Sequence, residues 1–352
     1  MNNKIYIGNR AIGENESAFI IAEMSGNHTH DFQKAKEIIC AAKEAGADAI
    51  KMQTYLPDTI TMNSNRQEFT IRKGSLWENR TLYDLYQEAY TPWEWQAALK
   101  EYAESKGLIC FSTPFDFSSI DFLESINVLA YKISSYEIND IPLIRRTAEK
   151  KKPIIISTGV AYLEDIDLAI KTILETGNQD IILLKCSSIY PTPYEEVNLL
   201  NMCELQKKYN CIIGISDHSL GESIPVGAVA LGAKVIEKHL TLDRKSGGVD
   251  DGFSMEPDEF KRMVQGIRNI EEALGSKEYL ISDIQEQERK MSRSLFVIRD
   301  IKTGEIFTDE NVKSIRPNLG LHTKYYDKVI GASAKYDISA GTPLALDMIE
   351  GI

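Results

Sequence analysis

Between residues 18 and 275 a short apolar run is followed eight times by a stretch of helical period. The apolar runs are 18–25, 47–55, 108–115, 130–135, 153–159, 181–188, 211–219 and 234–241. They are short and rich in Ile, Val and aromatic residues, as buried strands are. Stretches such as 32–46 and 162–177 repeat apolar residues at helical spacing and stop at Gly46 and Gly177. The stretch 91–107 reads as a helix capped by Thr91, with Pro92 in its first turn. Strand–helix–strand repeats return each strand parallel through a right-handed crossover. Eight of them over about 250 residues predict a closed (β/α)8 barrel. No GxGxxG follows the first run, which removes the main support for an open doubly wound sheet. Residues 1–17 read as a hairpin or approach strand with turn signals at Gly13 and Asn15.

After residue 275 the pattern changes. Residues 277–290 are polar and charged and read as a linker. Residues 291–352 alternate short strands with turns, a β-rich domain of about 60 residues near the lower limit of independent stability. Such a domain packs on a barrel, its own or a partner's. The expected division is therefore 1–276, 277–290 and 291–352. The net charge of -12 argues against nucleic acid and acidic membrane surfaces as partners, so an anionic ligand needs a local cluster of cations. The opening MNNKIYIG has no signal-peptide core and no apolar run approaches a membrane span, so a cytoplasmic enzyme is expected. The five cysteines contain no CxxC and sit mostly in apolar runs, which favours reduced thiols.

In a barrel of this kind the chemistry gathers at the C-terminal ends of the strands. Those ends carry Glu23; Lys51 and Gln53; Thr113; Lys132, Ser135 and Glu137; Ser157 and Thr158; Lys185, Ser187 and Ser188; His218; and His239. A single Ser or Thr there caps a loop as readily as it binds a ligand. Lys51 and Lys132 are different, because each lies inside an apolar strand. A buried ammonium needs a carboxylate such as Glu23 or Glu137, or a substrate anion. Two histidines ending consecutive strands suit a shared divalent metal, with backbone-bonded histidines as the alternative. Lysines, hydroxyls and histidines together suit a metal-assisted carbon–carbon bond reaction on a phosphorylated anion, with Glu23 or Glu137 as general acid or base. The rivals are a class I aldolase with Lys132 or Lys185 as Schiff-base lysine, and a sugar-binding protein without activity.

The motifs IAEMSGNH, GADAIKMQTY, FSTPFD, AYKISSYE, PIIISTG, CSSIYPTPYE, GISDHSLG, ALGAKVIEKHLT and SIRPNLGL span nearly the whole chain. In that order they resemble the N-acetylneuraminate synthase family of sialic acid synthases. The resemblance implies a (β/α)8 barrel followed by a C-terminal antifreeze-like (SAF) domain, a domain-swapped homodimer, and a divalent metal, Mn2+ or Mg2+. It implies condensation of phosphoenolpyruvate with an open-chain amino-sugar aldehyde, with release of phosphate, as a step in polysaccharide biosynthesis. It assigns His218 and His239 to the metal, and Glu23 and Glu137 to catalysis. Lys51, Thr113, Lys132, Ser135 and Ser157 are assigned to phosphoenolpyruvate. Gln53, Tyr190, Asp250 and Arg316 fall to the sugar, Arg316 from the partner subunit. Ser188 stands where relatives carry Asn, and the relatives' loop asparagine after the second strand has no counterpart. Residues 74–95, 247–257 and Met24-Ser25-Gly26 are similar to the branch that takes 2,4-diacetamido-2,4,6-trideoxy-altrose. Other branches, forming neuraminate or legionaminate, take other amino sugars. The long loop 56–91 belongs to the active-site face. In it Leu82, Tyr86 and Tyr90 are expected to pack a short helix onto the barrel, leaving Trp77 free to face the pocket.

Overall fold

The computed structural model describes residues 1–351 and comprises two compact units, Met1–Gly275 and Ser276–Ile352. The first opens with an antiparallel hairpin, β1 (Lys4–Ile7) and β2 (Arg10–Gly13). Its turn lies at Gly8, whose φ of 60° suits glycine. The turn expected near Gly13 and Asn15 follows β2, where Glu16 N–H donates to the Gly13 carbonyl at 3.1 Å. The barrel strands are β3 (Phe19–Glu23), β4 (Ala49–Thr54), β5 (Ile109–Pro114), β6 (Tyr131–Ile133), β7 (Ile154–Ser157), β8 (Ile181–Cys186), β9 (Ile212–Asp217) and β10 (Val235–His239). They pair in that order, all parallel, and β10 returns to β3 to close the barrel.

Side chains alternate across a strand, and that alternation divides the core. Phe19, Ile21, Phe111, Ile155, Leu184 and Val235 point inward and pack with Ile5, Ile7 and Ile12 of the hairpin. The hairpin thus plugs one end of the barrel, and the opposite end is left for a site. Ile20, Ile50, Met52, Ile156, Ile215 and Ile236 point outward against the helices. Each such buried side chain is worth roughly 1.5–3 kcal/mol. Covering on both faces explains why the strands read as continuous apolar runs. Gly214 on β9 leaves room for the Val235 carbonyl and the Leu184 side chain, which a methyl would strike.

One helix start differs from expectation. The helix Trp93–Ser105 has Pro92 as its N-cap, not Thr91. Thr91 is buried, and its hydroxyl meets His28 Nε2 at 3.0 Å instead. The second unit pairs β11 (Ser294–Val297) with β12 (Val312–Ile315), antiparallel, and adds isolated bridges such as Ile301–Ile338 and Ala334–Ile349. Leu295, Val297, Phe307, Val312 and Leu344 form its core. The polar stretch expected as a linker contains the helix Asp283–Arg289, capped by Ser282. Among the described residues no helix is long and apolar enough to cross a membrane.

Candidate active site

A cavity of about 520 Å³ opens at the C-terminal ends of the barrel strands. Strand parity selects what lines it. Lys51 and Gln53 on β4, Thr113 on β5, Lys132 on β6 and Ser157 on β7 all face in. On the far side Ser216 and His218 face in from β9 and its end, and Glu237 and His239 from β10. The floor is a buried charge cluster. Lys51 pairs with Glu23 and donates to Thr113 Oγ1 at 3.1 Å. Lys132 donates to Ser157 Oγ at 2.7 Å. Glu237 lies between the two lysines, 3.8 Å from Lys51 Nζ and 3.6 Å from Lys132 Nζ.

Of the two carboxylates expected to pair with the lysines, Glu23 does so with Lys51, while Glu137 is within pairing distance of neither; Glu237 is the carboxylate beside Lys132. Glu237 shares the inward parity of His239 on β10 and is not among the strand-end residues singled out from the sequence. A charged residue at inward parity in an apolar strand was the signal that went unused. Burial pushes the Glu23 carboxyl up, against the pull of Lys51. Burial also lowers Lys132, against the pull of Glu237.

At the rim three groups meet where Gly159 has no side chain. Its N–H donates to Ser135 Oγ at 3.0 Å. A methyl there would strike the hydroxyls of Ser188 and Ser135 and crowd the Cys186 thiol. Backbone N–H, hydroxyls and the nearby ammonium of Lys132 make a cradle suited to an anion with several oxygens. Ser188 is part of that cradle although its side chain is shorter than an asparagine's.

The two histidines face each other, with ring centroids 5.2 Å apart. Tyr190 lies 4.5 Å from His218, and Phe253 4.9 Å from His239. Trp77 extends this wall, 5.5 Å from Tyr190. Trp77 does face the cavity, but it is held there, since its Nε1–H donates to the Val249 carbonyl at 2.7 Å. Phe253 was not anticipated, because nothing in DDGF separates a wall residue from a loop residue. Burial holds the His239 imidazole well below its ordinary range. It is therefore neutral, the form that ligates a cation. Its Nδ1 is buried without a hydrogen-bond partner. A neutral, unpartnered imidazole facing a second one fits a two-nitrogen metal site. Among the described residues no three His, Cys, Asp or Glu side chains form a metal-holding group, so water and substrate would complete the coordination.

Over the mouth lies the helix Leu82–Ala89, capped by Thr81. Its buried face is Leu85 and Ala89, packed on Val249. Tyr86 packs on Tyr55 at the end of β4, ring centroids 5.6 Å apart, and Tyr90 on His30 at 4.8 Å, as expected, while Leu82 and Tyr86 also line the cavity. Tyr90 follows the helix as its C-cap. Burial raises the Tyr86 phenol to about 12. Glu137 lies in the same wall, with its carboxyl raised by burial and bonded by the Ser134 hydroxyl. Asp250, raised to about 6 chiefly by burial, accepts from the Ser25 hydroxyl. Arg316 belongs to the second unit, one residue beyond β12. Lys185 turns away, donating to the Cys186 carbonyl and to Ser187 Oγ, each at 2.7 Å.

A closed parallel barrel with lysines, hydroxyls and paired histidines at its strand ends defines an enzyme of the phosphate-handling barrel class. Comparison places it more narrowly. The NeuB family pattern matches residues 38–279 and the SAF domain pattern residues 292–350. The chain belongs to the NeuB family. It is 47% identical to the pseudaminic acid synthase of Campylobacter jejuni, over 96% of this chain and 98% of that one. It is 39% identical to the N,N'-diacetyllegionaminic acid synthase of Legionella pneumophila, over 99% of each. The N-acetylneuraminic acid synthetase structure from Leptospira borgpetersenii, in complex with citrate, superposes with a TM-score of 0.72 at 35% identity. It covers 81% of this chain and 94% of that one.

Proposed function

We propose that this chain forms pseudaminic acid, by condensing phosphoenolpyruvate with 2,4-diacetamido-2,4,6-trideoxy-altrose and releasing phosphate. The observation that carries this reading is the 47% identity, over nearly the full length, to a pseudaminic acid synthase, joined to a cavity whose floor holds two ammoniums and whose wall is aromatic. The legionaminate-forming relative stands further off.

Lys51, Thr113 and Lys132 hold the substrate carboxylate, and the Gly159 cradle with Ser135, Ser157 and Ser188 holds the phosphate. Gln53, Tyr190 and Asp250 orient the sugar. His218 and His239 would hold the divalent ion, Mn2+ or Mg2+, which when bound supplies Lewis-acid polarisation of the aldehyde. The enol carbon bonds to the aldehyde carbon, and water adds to the carbon that bears phosphate. The C–O bond to phosphate then breaks, the added hydroxyl passes its proton to the departing phosphate, and a ketone remains. Glu137, its carboxyl held toward the protonated form by burial, gives a proton to the new alkoxide. Glu23 takes one from the water. Arg316 reaches the sugar from the partner subunit of a domain-swapped homodimer. The division 1–276, 277–290 and 291–352 is then a catalytic barrel, a connector and a domain that completes the neighbouring site.

The test is a panel of amino-sugar acceptors with phosphoenolpyruvate, scored by product mass and phosphate release. The trideoxy sugar should be preferred over N-acetylmannosamine. A wall of Trp77 and Tyr190 accepts a terminal methyl but leaves a buried hydroxyl unpartnered, at a cost of about 1–3 kcal/mol. Trp77→Ala should narrow the preference roughly tenfold, the factor that about 1.4 kcal/mol represents, and leave the phosphoenolpyruvate KM nearly unchanged. Equal use of both sugars by the wild type would replace this acceptor with the neuraminate precursor. A Schiff-base lysine is the separate rival; trapping of substrate by borohydride with turnover intact in chelator would favour it.

A further inference from the structure

One buried carboxylate has no part in the chemistry above. Glu237 is 4% exposed and sits between the two lysines of the floor. Its Oε1 accepts from Ser216 Oγ at 2.8 Å, and its Oε2 has no hydrogen-bond donor. Its distances to Lys51 and Lys132, 3.8 and 3.6 Å, exceed direct hydrogen-bond length. It attracts both ammoniums without consuming their donors. Lys51 has a second carboxylate in Glu23, whereas Glu237 is the sole ion-pair partner of Lys132 among the described residues. Resting on the condensation read above, we infer that Glu237 is a positioning residue, which sets Lys51 and Lys132 as a two-ammonium fork for the carboxylate of phosphoenolpyruvate.

Charge counting gives the direction of the effect. Lys51 and Lys132 balance Glu23 and Glu237 in the buried floor. The other titratable groups acting on Lys132 are Lys51, which lowers it, and Cys186 and Glu23, which raise it less than Glu237 does. Burial already drags Lys132 below its ordinary range, and Glu237 is the largest pull the other way. With that charge removed, Lys132 gives up its proton rather than stay buried and unpaired. The floor then gains no positive charge and loses one charged donor. Binding of the anion weakens.

The experiment is titration calorimetry with phosphoenolpyruvate on the full chain, alongside steady-state kinetics with both substrates. Glu237→Gln keeps the shape and the Ser216 bond and removes the charge. It should weaken phosphoenolpyruvate binding at least about tenfold, the loss of one charged hydrogen bond, and change the sugar KM less than about twofold. Glu237→Asp keeps the charge at the expense of reach, and should bind phosphoenolpyruvate better than Glu237→Gln. Ser216→Ala frees the carboxylate without removing it and should weaken binding a few-fold, which decides the matter if the Gln variant fails to fold. Unchanged or tighter phosphoenolpyruvate binding in Glu237→Gln would overturn the fork, as would Gln outperforming Asp. Wild type that binds phosphoenolpyruvate yet releases no phosphate with any amino sugar would sink the condensation and leave the fork standing.

Discussion

His28 is fully buried at the end of the loop that follows β3. Its Nδ1 accepts from the His30 backbone N–H at 3.1 Å, and its Nε2 meets Thr91 Oγ1 at 3.0 Å. A proton on Nδ1 would point at another N–H. Burial is the main cause that lowers this imidazole from 6.5 to about 3. The folded value is depressed, so the contribution to stability is complete above pH 6.5 and is lost as pH falls toward 3. At pH 5 the loss is about 2 kcal/mol. Urea unfolding of wild type and His28→Gln should therefore draw together and then cross as pH falls from 7 to 5, with the variant roughly 1 kcal/mol weaker at pH 7 and the stronger of the two at pH 5. Parallel curves would refute the assignment. At this scale the sequence was partly legible. Lys51 and Lys132 stood out because an ammonium inside an apolar run demands a partner. Which partner was a matter of distance across the barrel: of Glu23 and Glu137 only Glu23 pairs, with Lys51, and Glu237 stands beside Lys132. Thr91 misled for a related reason, since a hydroxyl before Pro92 is a cap by local rule while its actual bond goes to a histidine 63 residues away.

The elements that carry the two histidines are fastened from outside the barrel. Lys238 on β10 lies opposite Asp217 on β9. Its Nζ is 2.5 Å from Asp217 Oδ2 and also donates to the Ser219 carbonyl. Asp217 accepts from the Ser219 N–H and hydroxyl, each at 3.0 Å. Neither side chain of the pair is appreciably exposed. Each immediately precedes a histidine in sequence, so the pair fixes where His218 and His239 point. Lys238→Met leaves Asp217 charged and alone in the interior, which should cost about 3–5 kcal/mol of unfolding free energy. Adding Asp217→Asn should return a good part of that, because the loss comes from the orphaned charge. A single-variant loss below about 1 kcal/mol would show that the pair is incidental. Alternation along 234–241 already places Glu237 and His239 on one face and Lys238 on the other. The eight strands were readable for the same reason, since strands covered on both faces leave long apolar runs. The helix Leu82–Ala89 was readable as a helix, with Tyr86 and Tyr90 packed onto the barrel, but not in its part as cavity lining. Its contacts, Val249 and the cavity, lie far off in sequence.

The whole chain carries -12 net charge and binds, on the reading above, an anion. The balance is local, with lysines placed inward by parity and hydroxyls gathered around one glycine. The first unit holds the closed strand order, the hairpin plug and the floor lysines without help from the second. The second unit has its own core around Phe307 and Val312. Residues 1–275 alone should therefore fold cooperatively and bind phosphoenolpyruvate in calorimetry with an affinity within about threefold of the full chain, a difference below 1 kcal/mol. Sugar use should fall sharply, because Arg316 is absent. The full chain with Arg316→Ala should raise the sugar KM by roughly tenfold or more, as loss of a desolvated charged contact does, and spare the phosphoenolpyruvate KM. Glu137→Gln should act on kcat. If one subunit lends Arg316 to the other's barrel, each of these variants makes half of its damage available for repair. After subunit exchange, the mixed dimer of Arg316→Ala and Glu137→Gln contains one site with both defects and one with neither. Mixing should then recover activity that neither parent shows. Confirmed exchange without recovery would place Arg316 at its own chain's site and remove the shared architecture.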